Sequence, residues 1–521
     1  MNSRHYDVVV LGRSLGALAT AALLARRDFS VLLLGQGQRP PSYRYERFTL
    51  KRRCFSLLFE ASPVWKRILH DLAQSPSFRR RIRPLEPMFG FATEGRRLEI
   101  SAQPERFASE IDREFPEVRQ LVDEFYVRLA SANSAIDSAF SRDAVWPPST
   151  FWERIEAART TSQLPFVGDR NPGDLLVKFP PDHPYRELAT LPAVFASDID
   201  YGVMGLPALA LARLHGSWTR GVYALGQGED ELESFLLERI AAHGGVCQLD
   251  RRIERIVVEG NRVRGIVEDG SPVKIGTDAV ITSLSGEAIA ELAAGEGITK
   301  KARYDWPNLS PTAGRFAVSI VVDSRCLPRP LGYETFLLPP ESRYPDPRRP
   351  VVHLQRYEAE NLGADAAQGE TLLLAEAIVP AEGALTLLEA RQAVLNTVRF
   401  HLPFLDEHLK LIDSPHDGLP LEDFTTGVKR EIDRIHVTES SPKPEFMDYQ
   451  WTVDPPGFLG IAGEPIRGPV PGSYLVGKTT LPALGQEGEL ISAWSVARIL
   501  TRKDATRQRR RRQLWNKFET G

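Results

Sequence analysis

The stretch from Tyr6 to Gly37, YDVVVLGRSLGALATAALLARRDFSVLLLGQG, limits the possible folds more than any other part of the chain. Val8 to Leu11 is a short apolar run with β-branched residues, too short for a helix and unbroken enough for a strand covered on both faces. Gly12 to Ala17 make a tight turn, Leu15 to Arg27 carry apolar residues at helical spacing, and Phe29 to Leu34 read as a second buried strand. That order is a βαβ unit. In such a unit the turn after the first strand presents backbone N–H groups and the positive end of the helix dipole to a ligand's phosphates.

Against the fingerprint G-x-G-x-x-G, the turn supplies Gly12, places Ser14 where the second glycine stands, and places Ala17 third. Alanine there still lets helix and strand pack closely. Serine narrows the approach to a pyrophosphate, although its hydroxyl can donate to the same group. Gly35 and Gln36 stand where an acidic residue would bind a ribose hydroxyl, and nearby Arg39 would suit a 2′-phosphate as in NADP. Gly12-Arg13-Ser14-Leu15-Gly16 also spells the G-x-S-x-G nucleophile elbow of serine hydrolases. Only eleven residues precede Gly12, too few for the strands that supply an elbow's oxyanion hole. A turn that serves the fold and holds no ligand is the third reading.

At 521 residues the chain has room for two or three domains. Lys plus Arg at 65 against Asp plus Glu at 68 gives a net charge of -3, so no overall field recruits nucleic acid. Cys54, Cys247 and Cys326 form no C-x-x-C pair or disulfide framework, which fits a reducing compartment. The ten histidines offer no H-E-x-x-H, and His401 and His408 sit in an apolar segment, so no metal is expected. No apolar run reaches membrane-span length and no signal-peptide pattern opens the chain, so a cytoplasmic location is expected.

Ser62 to about Ser141 reads as mainly helical, with amphipathic spacing in Glu105 to Phe115 and Val118 to Leu129. Pro147 to Tyr201 reads as short helices and loops wrapping a site, and Leu206 to His215 as a helix. The glycine-punctuated loop Gly221 to Gly228 leads into a helix from Glu229 to His243, stopped by Gly244-Gly245. Short strands then flank Gly260-Asn261 and Asp269-Gly270, a hairpin signature, before a buried strand at Ala279 to Thr282.

This succession, closed by Gly472-Ser473-Tyr474-Leu475-Val476-Gly477-Lys478-Thr479-Thr480-Leu481-Pro482 with Gly485, Gly488 and Ser492, resembles the phytoene desaturase and carotenoid isomerase branch of the FAD-dependent amine-oxidase-like flavoproteins. The resemblance covers about half the chain. It implies an α/β protein: a Rossmann-like FAD/NAD(P)-binding domain assembled from discontinuous segments 1–60, 206–300 and 455–505, plus an α+β substrate domain from 61–205 and 301–454. It implies FAD in an extended pose. Gly12, Arg13, Ser14, Leu15, Gly16 and Ala17 would face the pyrophosphate, Gly35 and Gln36 the ribose, and the backbone at Ile253 the adenine. Gly226 and Gly228 would lie near the isoalloxazine, as would the closing segment with Gly477, Lys478, Pro482, Gly485, Gly488 and Glu489. The helix starting at Gly488 would point its N-terminus at the flavin's pyrimidine edge.

The family's acidic positions fall here at Gly35 and at Lys478, its GGR-type segment is missing, and Lys478 is a candidate partner for a phosphate. The implied activity is oxidation, desaturation or isomerisation of an apolar substrate, of isoprenoid or polyene type, by hydride transfer to flavin. It asks for no acid–base side chain, so no catalytic residue is singled out. Phe89, Phe91, Phe195, Tyr201, Trp218, Phe316, Tyr357 and Trp451 are candidate channel walls. The alternative is a degenerate relative kept as a binding or scaffold protein. The tail 506–521 carries Arg509 to Arg512 with Leu514, Trp515 and Phe518, a pattern for peripheral attachment to an anionic membrane surface.

Overall fold

The computed structural model describes residues 5–502 and 504, apart from 163, 167–172, 330, 341–345, 359–368 and 384. The basic tail, with Arg509 to Arg512, therefore lies outside the described residues.

The opening unit forms as β1 (His5–Leu11), α1 (Leu15–Arg26) and β2 (Val31–Leu34). β1 and β2 run parallel, in register from Val8↔Val31 to Leu11↔Leu34. The other neighbour of β1 arrives from far along the chain: Lys274–Thr282 runs parallel to it from His5↔Gly276 to Leu11↔Thr282. Ser473–Leu475 pairs parallel to the end of that strand, and Val246–Gln248 pairs with β2. Ile253–Glu259 and Arg262–Glu268 complete a seven-stranded sheet, and both expected turns, Gly260-Asn261 and Asp269-Gly270, join antiparallel strands. α1 is almost wholly Ala and Leu, and Gly16 to Ala25 are buried. It is enclosed by the sheet and by the helices Glu229–Ala242 and Gly485–Arg502. A helix covered all round needs small apolar residues on every face, which is what the sequence supplies.

A second, ten-stranded sheet is built on the long strand Asn308–Asp323, which pairs antiparallel with Glu370–Pro380, Leu409–Asp413 and Asp448–Asp454. Val352–Glu358, Glu334–Leu337, Phe89–Ala92 and Arg97–Ile100 extend it in that order. The last two strands, with Ile82–Pro84, interrupt a stretch from 62 to 141 that is otherwise mainly helical, as expected. Phe89–Ala92 is only four residues long and pairs both with Arg97–Ile100, across a short local turn, and with Glu334–Leu337, more than two hundred residues away, so pairing and not periodicity makes it a strand. The expected helices are present as Pro104–Glu114 and Arg119–Phe140. Ala208–Thr219 packs on Arg119–Phe140 and on Pro184–Ala196.

Candidate dinucleotide and substrate cavity

A cavity of about 1020 Å³ opens where β1, β2, Lys274–Thr282 and Ser473–Leu475 end. Its wall carries Arg13, Ser14 and Leu15 of the first turn, Gln36 to Arg39 after β2, and Ser283 to Ser285. Lys478, Glu487 and Glu489 add to it, and at the far end so do Phe195, Trp218, Arg315, His353 and Glu376. The carboxyl ends of parallel strands are where open α/β sheets bind ligands. The volume lies at the upper end of the roughly 300–1,000 Å³ of cofactor and small-molecule sites.

The first turn is held tightly. Gly12 has φ +110°, and a Cβ on it would stand 2.0 Å from Ser283 Oγ. A Cβ on Gly16 would stand 1.8 Å from the carbonyl oxygen of Val476, which fixes how closely α1 approaches the strand Ser473–Leu475. Ser14 is the N-cap of α1, its Oγ accepting the Ala17 N–H at 3.2 Å. Its hydroxyl also meets the Glu489 carboxylate, and among the described residues no imidazole takes the place of an elbow's general base, so the hydrolase reading is corrected.

The donors that a dinucleotide would use are met from within. The Arg13 N–H donates to Gln38 Oε1 at 2.5 Å, and the Gly16 N–H donates to Glu489 Oε2 at 3.0 Å. At the start of the strand Ile253–Glu259, where the resemblance puts the adenine, Gln36 Oε1 accepts from the Ile253 N–H at 2.8 Å while Gln36 Nε2 donates to the Ile253 carbonyl at 3.3 Å. A carboxylate thus sits at the N-terminus of α1, and a planar amide reads the Ile253 backbone with one donor and one acceptor. Both are the chemistry of the groups a dinucleotide brings, a phosphate and an adenine edge. The residues fit FAD in kind, with Gln36, Gln38 and Glu489 as the side chains it must displace.

Burial raises the Glu489 carboxyl to about 7, against the opposing pull of Lys478 and the Gly16 N–H. Burial likewise raises Glu233 to about 7, with the Arg13 guanidinium opposing; Arg13 Nε donates to Glu233 Oε1 at 2.8 Å. Lys51 and Arg53 make parallel ion pairs with Asp230 and Glu229 on the same helix. These acidic residues also complement that helix's N-terminal dipole.

The other expected site residues take different places. Lys478 does not point a free cation at a phosphate: its Nζ pairs with Asp448 and lies 3.9 Å from Asp198, which corrects the expected role. Arg315 and Arg53 reach the same Asp448 oxygen at 3.4 and 3.7 Å. Burial opposes ionisation of Asp448, but Lys478, Arg53 and Arg315 together hold it well below the usual carboxylate range. Gly35, Gly477, Gly485 and Gly488 face the backbone oxygens of Leu249, Ser283, Ala196 and Leu481, where they allow close packing. Ala17 is buried behind the turn, and the Pro482 carbonyl accepts the Asp198 N–H. Gly226 is exposed and Gly228 lies under the Tyr357 hydroxyl; their loop meets the cavity through Glu229 and Glu233. Of the aromatic candidates, Phe195, Trp218 and Trp451 reach the wall, whereas Phe89, Phe91, Phe316 and Tyr357 are in the buried cores.

One wall was not visible from spacing. Glu376 stands opposite His353 across two antiparallel strands, Glu334 stands opposite Gln355, and Arg315 lies two residues from Ala317, the other partner of Glu376. Cross-strand partners share a face, so Glu334, His353, Glu376 and Arg315 form a polar stripe on one side of the second sheet. His353 Nε2 bonds Glu334 Oε2 at 2.6 Å, and the Cys54 N–H donates to Glu376 Oε2 at 2.9 Å. The signal was a single polar residue inside an apolar run at Glu376, in LLLAEAIV, and alternating polar residues at His353 and Gln355, in VVHLQRY.

The fold is α/β, with a Rossmann-like domain of discontinuous segments beside a second domain built on the ten-stranded sheet. No protein-family model matches the chain, and no curated protein does. Among solved structures, an oxidoreductase from Methanosarcina mazei is similar at 17% identity and TM-score 0.57, over 94% of this chain and 99% of that one. Cyclohexylamine oxidase from Brevibacterium oxydans is similar at 15% and 0.54, over 95% and 98%. A putrescine oxidase variant is similar at 13% and 0.54, over 96% and 100%. At these identities the likeness is one of fold.

Proposed function

We propose that the chain is a flavin-dependent oxidoreductase that binds FAD in this cavity. The observation that carries the reading is the pair of internal stand-ins: Gln36 on the Ile253 backbone and Glu489 on the Gly16 N–H. They mark two separated points with the recognition chemistry of an adenine edge and a pyrophosphate, at the strand ends where such ligands bind. That three similar folds belong to proteins called oxidoreductase or oxidase supports the redox class.

When bound, the flavin supplies a hydride acceptor for a substrate C–H bond. The chain's own residues set the rest. Arg13, Ser14 and Leu15 would hold the phosphates, and the Ile253 backbone would hold the adenine once Gln36 turns away. Phe195, Trp218 and Leu214 exclude water from the far end of the cavity, which favours an apolar substrate body. Arg315, His353 and Glu376 on the facing wall favour one polar group on that body, consistent with an oxidised isoprenoid or an amine. No helix among the described residues is long and apolar enough to cross a membrane; the reading adds peripheral attachment, for which Arg509 to Arg512 of the basic tail would suit an anionic surface.

The test is reconstitution. Flavin-free protein titrated with FAD should show saturable quenching of flavin fluorescence, and denaturation should release intact FAD. Protein that neither carries flavin nor binds added FAD would replace this reading with the scaffold one.

A further inference from the structure

The polar stripe does more than line a wall. Cys54, His353 and Glu376 bring one sulfur, one imidazole nitrogen and one carboxylate oxygen within 4.8 Å of one another, and all three residues line the cavity. They come from a segment after the strand Phe48–Lys51 and from the neighbouring strands Val352–Glu358 and Glu370–Pro380. His353 and Glu376 are 3% and 2% exposed, so the set is buried among Phe195, Trp218 and Phe336, whose rings surround the imidazole.

We propose that Cys54, His353 and Glu376 form a three-ligand site for a zinc-type dication, with a fourth position open to the cavity. A thiolate, an imidazole and a carboxylate are a ligand set suited to zinc, and three protein ligands with an open place is the pattern of sites that meet substrate. Ligand atoms at about 2.0–2.3 Å from a tetrahedral zinc lie roughly 3.5 Å apart, a small side-chain contraction from the arrangement seen.

The surroundings supply what a metal-binding imidazole requires. Glu334 Oε2 holds His353 Nε2 at 2.6 Å, and Glu334 Oε1 is itself held by Gln355 Nε2 at 2.9 Å. That fixes the ring, and with Nε2 taken a metal would be met by Nδ1, the carboxylate–histidine–metal arrangement in which the outer carboxylate raises the basicity of the imidazole. Glu334 has no exposed surface, so its charge is spent on this partner and on Gln355. The opposing charge is Arg315, whose Nε lies 3.9 Å from Glu376 Oε1. The carboxylates of Glu334 and Glu376 face this one guanidinium, and the Cys54 thiol, whose Sγ donates to the His353 and Leu374 carbonyls at 3.7 and 3.6 Å, releases its proton when the dication binds. Glu334 is a positioning residue here.

The site is independent of the flavin reading and is tested on the intact chain, with or without FAD. Metal-free protein titrated with Co²⁺ should take up one equivalent, with the visible bands of tetrahedral cobalt and a near-ultraviolet thiolate-to-cobalt band. Zn²⁺ should abolish both by displacement. Cys54→Ser should lose the thiolate band, and Glu334→Gln should keep it while weakening Zn²⁺ affinity about 10- to 100-fold, the usual cost of removing an outer-shell partner. Far-ultraviolet circular dichroism of each variant separates these effects from misfolding; should Cys54→Ser fail to fold, His353→Gln takes its place. Absence of tetrahedral cobalt bands in the wild-type chain would overturn the proposal, as would Zn²⁺ affinity equal in wild type and Glu334→Gln.

Discussion

Glu489, on the last helix, accepts the backbone N–H of Gly16, on the first, at 3.0 Å across 473 residues of chain. A carboxylate there rests against the positive end of α1 and occupies the place where a dinucleotide's phosphates would be stabilised. Four expectations follow from this contact and from the contacts around it.

FAD affinity should fall as pH rises. A protonated Glu489 is compatible with an anionic pyrophosphate and an ionised one repels it, so with the group titrating at about 7 each further pH unit costs up to about tenfold in affinity. Fluorescence titrations at pH 6 and pH 8 check this, and in Glu489→Gln the difference should vanish. The same substitution reads out in stability. The folded value lies above the unfolded one, so the stability Glu489 contributes is complete below about 4.5 and lost as pH rises through about 7. Relative to wild type, Glu489→Gln should therefore gain with pH, by up to roughly 3 kcal/mol between pH 5 and 8. Equal pH profiles of wild type and variant would remove Glu489 from the phosphate site.

Gln36→Ala should tighten FAD. It releases the Ile253 N–H and carbonyl from an internal partner, and a net hydrogen bond is worth about 0.5–1.5 kcal/mol, so the gain is roughly 2- to 10-fold. Calorimetric titration of both proteins measures it. A variant that binds FAD more weakly would show that Gln36 holds the nucleotide instead of blocking it.

At Ser14 the two small substitutions should separate. Ser14→Ala removes the cap on Ala17 and should cost about 1 kcal/mol, whereas Ser14→Gly should cost only a few tenths. FAD binding should survive Ser14→Gly. Equilibrium urea unfolding gives the stabilities, and labelling of Ser14 by a fluorophosphonate would restore the hydrolase reading.

Arg213 is buried and donates at 2.6 Å to both oxygens of Glu487 and to Asp137. Arg213→Ala strands the buried Glu487 carboxylate and should cost about 3–5 kcal/mol, while the double change Arg213→Leu with Glu487→Leu should recover much of it. Thermal melts of the three proteins decide, and a single variant as stable as wild type would show that Glu487 reaches water.

The first βαβ unit was legible because each of its signals is local: β-branched runs, a glycine turn and an Ala/Leu helix within 32 residues. So were the hairpins at Gly260-Asn261 and Asp269-Gly270. Phe89–Ala92 was not, because a four-residue strand has no periodicity of its own and takes its identity from its partners Arg97–Ile100 and Glu334–Leu337. Ser14 could be placed on the cavity wall from motif order, but the side chains that meet the backbone of Gly16 and Ile253 could not. Gln36 looked like a missing acid and Lys478 like a phosphate ligand; their actual partners, Ile253 and Asp448, are set by how distant strands end. The stripe from Arg315 to Glu334 was hidden for the same reason, since strand register decides which lone polar residues share a face.

β1 lies between β2 and a strand that begins at Lys274, and α1 is covered by a helix that begins at Gly485. The turn that would hold a cofactor therefore leaves the ribosome well before its walls do. With 473 residues between Gly16 and Glu489, synthesis at about 5–20 residues per second separates the two by roughly 25–100 s. Throughout that interval α1 lacks one of the two helices that cover it, and β1 lacks its second neighbour until Lys274–Thr282 has emerged. Newborn chains should therefore be captured by holdase chaperones through residues 5–34 and released only after the final helix has emerged.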